Sequence, residues 1–241
     1  MTTSVVPQKT AKVVTTQKLM ITPLLLRLYS WMQARHLDIL WRGDSSRREI
    51  ALTFDDGPHP RDTPGVLDVL AKHQVRATFF LIGKDVEENQ SLVKRIHTGG
   101  HQIGIHCYRH IPFAFEKQDV LQTQLERTRD LISQACGISA QEIRDVRPPY
   151  GAFTTRTKSL LTEWGYRLVM WNCIPPHFTQ PLSWTIQQIL NASISGSIIV
   201  LHDGHGHGSK AAQIVETIVP RIKSQGFEFV TIKQMQDWKN K

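Results

Sequence analysis

Between residues 49 and 232 the chain alternates short apolar runs with longer stretches in which apolar residues recur every three to four positions. The short runs read as buried strands, because β-branched and aromatic residues fill a few positions bounded by Gly, Pro or Asp. They fall at residues 50–54, 77–82, 101–106, 145–147, 167–171, 197–201 and 227–231. The longer stretches read as amphipathic helices. One opens at Thr63-Pro64 and carries Val66, Leu67, Val69 and Leu70. The next runs from a cap at Asp85 to about His97 and stops at Gly99-Gly100. Others cover 119–135, a segment capped by Thr154 or Thr155 and ended by Gly165, then 183–190 and 209–223, with a short helix after the last strand. Trp164, Trp184 and Trp238 lie on helical faces and are expected in the core. Regular alternation of strand and helix predicts an α/β fold with a parallel sheet covered by helices. Seven strands in one domain favour a TIM-barrel-like closed barrel over an open doubly wound sheet.

Composition narrows this reading without changing it. Of 241 residues, 40% are hydrophobic and 21% charged, and no Pro-, Gly- or Ser-rich linker separates two periodic regions, so one domain is expected. The net charge of +8 raises nucleic acid as a partner. Lys and Arg are scattered, with no basic cluster interleaved with aromatics, which argues against that partner. A basic surface equally suits anionic cell-wall polymers or peripheral association with an acidic membrane face. Three cysteines (Cys107, Cys136, Cys173) without a C-x-x-C pair predict free thiols rather than a disulfide framework. No phosphate-binding Gly-rich pattern follows any strand, so nucleotide binding is disfavoured.

At the N-terminus, residues 1–17 are polar and expected to be disordered. Residues 19–32 are apolar but interrupted by Pro23 and Arg27. Residues 18–48 are therefore expected to form a helical segment packing on the domain at 49–241, with a signal anchor as the alternative.

The chemistry collects at the C-terminal ends of the predicted strands. Asp55 and Asp56 follow the first, His106 and His110 the third, Arg147 and Tyr150 the fourth, Trp171 the fifth, and His202 with Asp203 the sixth. In a βα barrel these ends converge on one mouth, where active sites are built. Adjacent side chains on a strand point opposite ways, so one acid of the Asp55–Asp56 pair is free to ligate a metal while the other serves as a base. His106-x-x-x-His110 on a helical turn would place two imidazoles on one face. With Asp56 they make a two-His, one-carboxylate set suited to Zn²⁺, Co²⁺ or Fe²⁺.

Thr53-Phe-Asp-Asp-Gly-Pro58, His106-x-x-x-His110, Arg147-Pro-Pro-Tyr-Gly151 and Leu201-His-Asp203 resemble, in order, the motif series of the polysaccharide deacetylases, carbohydrate esterase family 4. The resemblance covers about residues 49–232. It implies the distorted (β/α)7 barrel and metal-dependent removal of acetyl groups from an N-acetylglucosamine-containing glycan, chitin-like or peptidoglycan-like. It makes Asp55 the general base, His202 the general acid, Arg147 the arginine beside the base, and Tyr150 the residue whose backbone N–H holds the oxyanion. Asp56, His106 and His110 become the ligands of one divalent metal ion, with Zn²⁺ the first choice. Substrate contacts fall to Pro149, Tyr150, Trp171, Phe178 and Leu201, with Phe178 an apolar wall for the acetyl methyl.

The chain departs from the family's pattern at Trp171-Asn-Cys-Ile-Pro-Pro-His-Phe178. Ile174, His177 and Phe178 stand where the family often has two acids and a Trp, one acid supporting the general-acid His. Asp203 is the alternative source of that charge. The stretch Gly204-His-Gly-His-Gly208 reads first as a flexible loop, and its His205 and His207 as loop residues rather than ligands. Cys107 replaces a usual Ser or Thr beside the first ligand His. Rival functions are deacylation or deformylation of a lipid-linked sugar, which the basic surface and apolar N-terminal segment would suit, and a non-catalytic glycan-binding module. The family's usual place is outside the cytoplasm. A segment at 18–48 that is only a packed helix would instead leave the chain within it.

Overall fold

The computed structural model describes residues 32–36, 38–204 and 208–237. The expected disorder of 1–17, most of the apolar stretch at 19–32, and His205, His207 and Trp238 lie outside the described residues. The compact unit begins at His36. Within it, Ile39, Leu40 and Trp41 are buried, and Leu40 pairs in parallel with Val169.

Seven parallel strands form one sheet: β1 (Glu49–Gly57), β2 (Thr78–Ile82), β3 (Gln102–Cys107), β4 (Asp145–Val146), β5 (Arg167–Leu168), β6 (Ser197–His202) and β7 (Glu228–Val230). Their spatial order is β5-β4-β3-β2-β1-β6, with β7 also on β1. Strands in such a sheet are covered on both faces, which is why they read as continuous apolar runs. Every residue of β1 and of β2 is buried. The circle closes through irregular backbone after β5: Cys173 bridges Ile199 of β6, and Val200 N–H donates to the Cys173 carbonyl at 2.9 Å. The result is a distorted barrel rather than an open sheet.

The helices of the compact unit lie outside it: α1 (Thr63–Lys72), α2 (Gly83–Glu88), α3 (Gln90–Thr98), α4 (Gln118–Cys136), α5 (Thr155–Glu163), α6 (Leu182–Ala192), α7 (Gly208–Ser224) and α8 (Ile232–Asp237). α1 turns Val66, Leu67 and Leu70 inward, and each fully buried aliphatic side chain contributes about 1.5–3 kcal/mol. The single helix predicted from Asp85 to His97 is in fact α2 and α3. Asn89, with φ −132° and ψ 42°, leaves helical space between them, and Asp85 lies inside α2 rather than at its cap. Thr154 is the cap of α5, its hydroxyl accepting from Thr157 N–H at 3.0 Å. α4 ends at Gly137 in the left-handed region, as its position implied. Trp164 and Trp184 are only half-buried, not core. All three cysteines are free. Among the described residues no helix is long and apolar enough to cross a membrane.

On the face of β1 and β2 opposite to Arg147, the Phe54 and Phe79 rings stack at 4.9 Å. Phe80 lies where any side chain on Gly104 of β3 would stand, since a Cβ there would meet the ring at 2.7 Å. A glycine in mid-strand marks such close approach. The room it leaves is filled by that ring, and the fully buried Arg147 lies over it, its guanidinium carbon 4.0 Å from the ring centre.

Candidate active site

β1 continues through both acids to Gly57 rather than giving way to a loop before them. Its pairing with β2 shifts register between Asp55 and Gly57, and Asp56 takes φ 73°. Such a bulge re-aims one side chain of a strand, and Asp is among the few residues that tolerate the left-handed region. Asp55 and Asp56 therefore face different partners. Gly204 packs so closely on this bulge that a Cβ would meet the Asp56 carbonyl oxygen at 2.1 Å.

Asp55 Oδ1 accepts from Arg147 Nη1 at 2.7 Å. The same Nη1 donates to Thr53 Oγ1 at 2.8 Å, and that hydroxyl donates to the Ile199 carbonyl. Arg147 Nε and Nη2 donate to the carbonyls of Val169 and Met170. One fully buried guanidinium thus ties β1 to the backbone leaving β5, with its charge matched by a carboxylate. Such a fork is a task for Arg rather than Lys.

Asp56 faces the histidines. Its Oδ1 is 3.3 Å from His106 Nε2 and 3.2 Å from His110 Nε2, and the two Nε2 atoms are 3.2 Å apart. His106 is on β3 and His110 is the last residue of a bend at 108–110, so the i, i+4 pair is not on a helical turn. A strand end and a bend bring the rings together instead, their centres 5.1 Å apart. His106 Nδ1 is 2.9 Å from the Arg147 carbonyl, to which Nδ1–H donates, and this leaves the Nε2 lone pair turned toward Asp56. Asp56 Oδ1 is buried, and among the described residues nothing donates a hydrogen bond to it. Burial opposes its charge, but His106 and His110 beside it hold the carboxyl well below the usual carboxylate range.

These observations fit a cation. Three ligands bound at about 2.0–2.1 Å to one tetrahedral centre stand about 3.3 Å apart, which is the spacing of the three donor atoms. Asp56, His106 and His110 are also the one group among the described residues whose ligand atoms converge in this way.

His202, half-buried at the end of β6, is in register with Asp55. Its Nδ1 is buried, and among the described residues nothing hydrogen-bonds to it. Burial lowers its pKa, while Asp55 and Asp56 act in the opposite sense. His177 is fully buried, with its ring centre 5.0 Å from that of His202, and Phe178 lies 4.6 Å from His202. Asp203 does not take up the missing carboxylate's task. Its Oδ2 accepts from the Thr63 hydroxyl at 2.6 Å, and both its oxygens lie against Gly57. Burial pushes its pKa up to about 7.

Tyr150 has φ 58° and is 72% exposed, with its ring 4.6 Å from that of His110. Phe178 is 42% exposed, so the two aromatics stand at the rim beside His110 and His202. Trp171 is nearly covered, with the Arg147 guanidinium 5.6 Å from its ring. Pro149 is buried, and Leu201 has no exposed surface, so neither offers an open contact. The residues that sequence reasoning missed are Thr53, which shares Arg147 with Asp55, and Thr63, which fixes Asp203. Their only signal was position, inside and just after the Asp-Asp-Gly-Pro stretch.

Residues 42–169 match the family model described as polysaccharide deacetylase. A peptidoglycan-N-acetylglucosamine deacetylase of Bacillus cereus is 35% identical over 211 residues, 86% of this chain and 74% of that protein. A chitooligosaccharide deacetylase of Azorhizobium caulinodans is 31% identical over 194 residues, 76% of this chain and 91% of that protein. The crystal structure of the Bc1960 peptidoglycan N-acetylglucosamine deacetylase, in complex with 4-naphthalen-1-yl-N-oxidanyl-benzamide, superposes with a TM-score of 0.79 at 31% identity. That match covers 85% of this chain and 95% of the other.

Proposed function

The chain belongs to the polysaccharide deacetylase family, and from that premise we propose that it hydrolyses the acetamide of N-acetylglucosamine residues in a glycan. The observation that carries the reading is the division of the two neighbouring acids, Asp56 with His106 and His110 and Asp55 with Arg147. Binding alone needs no base held apart from a metal set. Asp56, His106 and His110 would hold a divalent cation, Zn²⁺ by the donor set, with Co²⁺ and Fe²⁺ the alternatives. Such a cation supplies Lewis acidity toward the acetyl carbonyl and makes a water molecule easier to deprotonate.

This chain's own residues do the rest. Arg147 occupies Oδ1 of Asp55, so the other oxygen takes the proton as water adds to the carbonyl carbon. Negative charge grows on the carbonyl oxygen, and the Tyr150 backbone N–H is the donor assigned to it. His202 gives a proton from Nε2 to the nitrogen as the C–N bond breaks, leaving acetate and a free amine. Phe178 and Trp171 wall the space for the acetyl methyl. Acetate release from chito-oligosaccharides and from peptidoglycan tests the reading. The expected result is release that chelation abolishes and added divalent metal restores, and no release from any acetylated glycan would overturn it.

A further inference from the structure

The face of the barrel opposite to the active site carries two surface cavities, of about 630 Å³ and 240 Å³, which share Arg76 and His101 as walls. Arg76 stands just before β2 and His101 just before β3. His106, at the other end of β3, is about 16 Å away at about 3.3 Å per residue. The N-terminal face of such a barrel ordinarily serves stability, so polar groups there are expected to be paired.

Two of them are not. His101 is 6% exposed, and Phe79 lies edge-on to its ring at 5.3 Å. Its Nδ1 accepts from Ala77 N–H at 3.1 Å, so the neutral ring carries its proton on Nε2. Burial, and after it the charge of Arg76, lowers the His101 pKa to about 4, which keeps the ring neutral. Among the described residues nothing accepts from Nε2. Only the missing side chain of Gly99 leaves it uncovered, since a Cβ there would meet Nε2 at 3.1 Å. Arg76 lies over the next residue, where a Cβ on Gly100, at φ 78°, would meet its Nε at 3.1 Å. Arg76 is exposed and makes no hydrogen bond or ion pair among the described residues. The neighbouring cations are engaged, Arg95 with Asp68 at 2.6 Å and Lys233 with Glu142 at 3.9 Å. The end of α3 does not oppose an anion here with open carbonyls. Those of Arg95, Ile96 and His97 accept from the N–H groups of Gly99, His101 and Gly100.

We propose that Arg76 and the His101 Nε2–H form a second, non-catalytic site for an oxyanion, a phosphate or carboxylate group carried on a larger organic molecule. A guanidinium fork matches either group, and the fixed imidazole N–H adds a directional donor. The larger cavity lies within the range of small-molecule sites, about 300–1,000 Å³, which leaves room for the body that bears the charge. The site is at the opposite strand ends from Asp56, His106 and His110, so it stands apart from the deacetylase reading and can fill while a glycan is bound.

The test titrates the metal-loaded wild type, Arg76→Gln and Gly99→Ala at constant ionic strength, with shifts of the His101 ring and the Gly100 amide followed by NMR. The probes are inorganic phosphate with glycerol phosphate, and acetate with glucuronate. Gly99 has φ −70°, a backbone that alanine adopts, so the added methyl only covers Nε2. The expected result is saturable binding of the phosphate pair or the carboxylate pair, tighter for the member with the larger body. Each variant should bind about tenfold more weakly, with melting temperature and acetate release unchanged. No saturable shift with any of the four probes would overturn the site, as would equal affinities in wild type and both variants. Equal affinity for both members of a pair would overturn the organic body. Arg76 is exposed, so Arg76→Gln decides the matter even where Gly99→Ala is destabilised.

Discussion

Replacing His177 with Asp probes the least conventional feature of the site, a His202 Nδ1 to which no carboxylate hydrogen-bonds among the described residues. The ring centres of His177 and His202 are 5.0 Å apart. Opposite unit charges about 5 Å apart at an effective dielectric constant of about 20 interact by about 3 kcal/mol, or about two pKa units. Two effects reduce this. A carboxyl is shorter than an imidazole, so its charge would stand further from His202. The position is also fully buried, and Asp203, equally buried nearby, has its own carboxyl raised to about 7. A net rise of about one unit in the His202 pKa is the expected outcome. A general acid works while protonated, so activity falls as pH rises through its pKa. In wild type, burial lowers that pKa, which sets the alkaline limb of kcat early. His177→Asp should move the limb about one unit to higher pH. The assay is kcat against pH on one oligosaccharide, with the His202 ring resonance followed by NMR. A superimposable alkaline limb and an unshifted resonance, in a variant with unchanged circular dichroism and melting temperature, would refute the reasoning.

Three further outcomes follow from the same geometry. Arg147→Met leaves Asp55 a buried charge without its partner and should cost about 3–5 kcal/mol, read as a fall in melting temperature; an unchanged Tm would show that the fork does not hold β1. Asp203 is a carboxyl whose folded pKa is raised to about 7, so its burial costs little at low pH and stability is lost as pH rises above the unfolded value. Asp203→Asn should therefore gain Tm relative to wild type between pH 5 and pH 8, and a constant gap across that window would contradict the burial argument. His106→Ala should lose stoichiometric metal in elemental analysis with the fold intact, whereas full retained occupancy would remove His106 from the ligand set.

The sequence announced the barrel because its strands are buried on both faces. Runs such as Thr78–Ile82 have no polar face to confuse the period. The gathering of the candidate residues was legible because strand ends carry them in order, Asp55 and Asp56, then His106, Arg147 and His202. What could not be read was how local geometry brings these residues together. The spacing of His106 and His110 suggested a helical turn, yet a strand and a bend give the same proximity, since side-chain direction depends on backbone that spacing does not encode. Asn89 interrupts a helical pattern that remains amphipathic across it, so periodicity alone ran through the break. Closure of the barrel rests on irregular backbone at Asn172 and Cys173, which has no period to detect. The sharing of Arg147 among Thr53, Asp55 and two carbonyls joins residues up to 94 positions apart, and no local pattern encodes such a contact.

The central claim is that Asp55 and Asp56 divide the labour of base and metal ligand in an acetamide hydrolase. Its most direct test is acetate release from N-acetylglucosamine oligomers by wild type and Asp55→Asn, each with its bound metal quantified. The expected result is equal metal content in the two proteins and a rate lower by about 10²–10⁴ in Asp55→Asn. Loss of the metal together with the activity, or full activity without the Asp55 carboxylate, would contradict it.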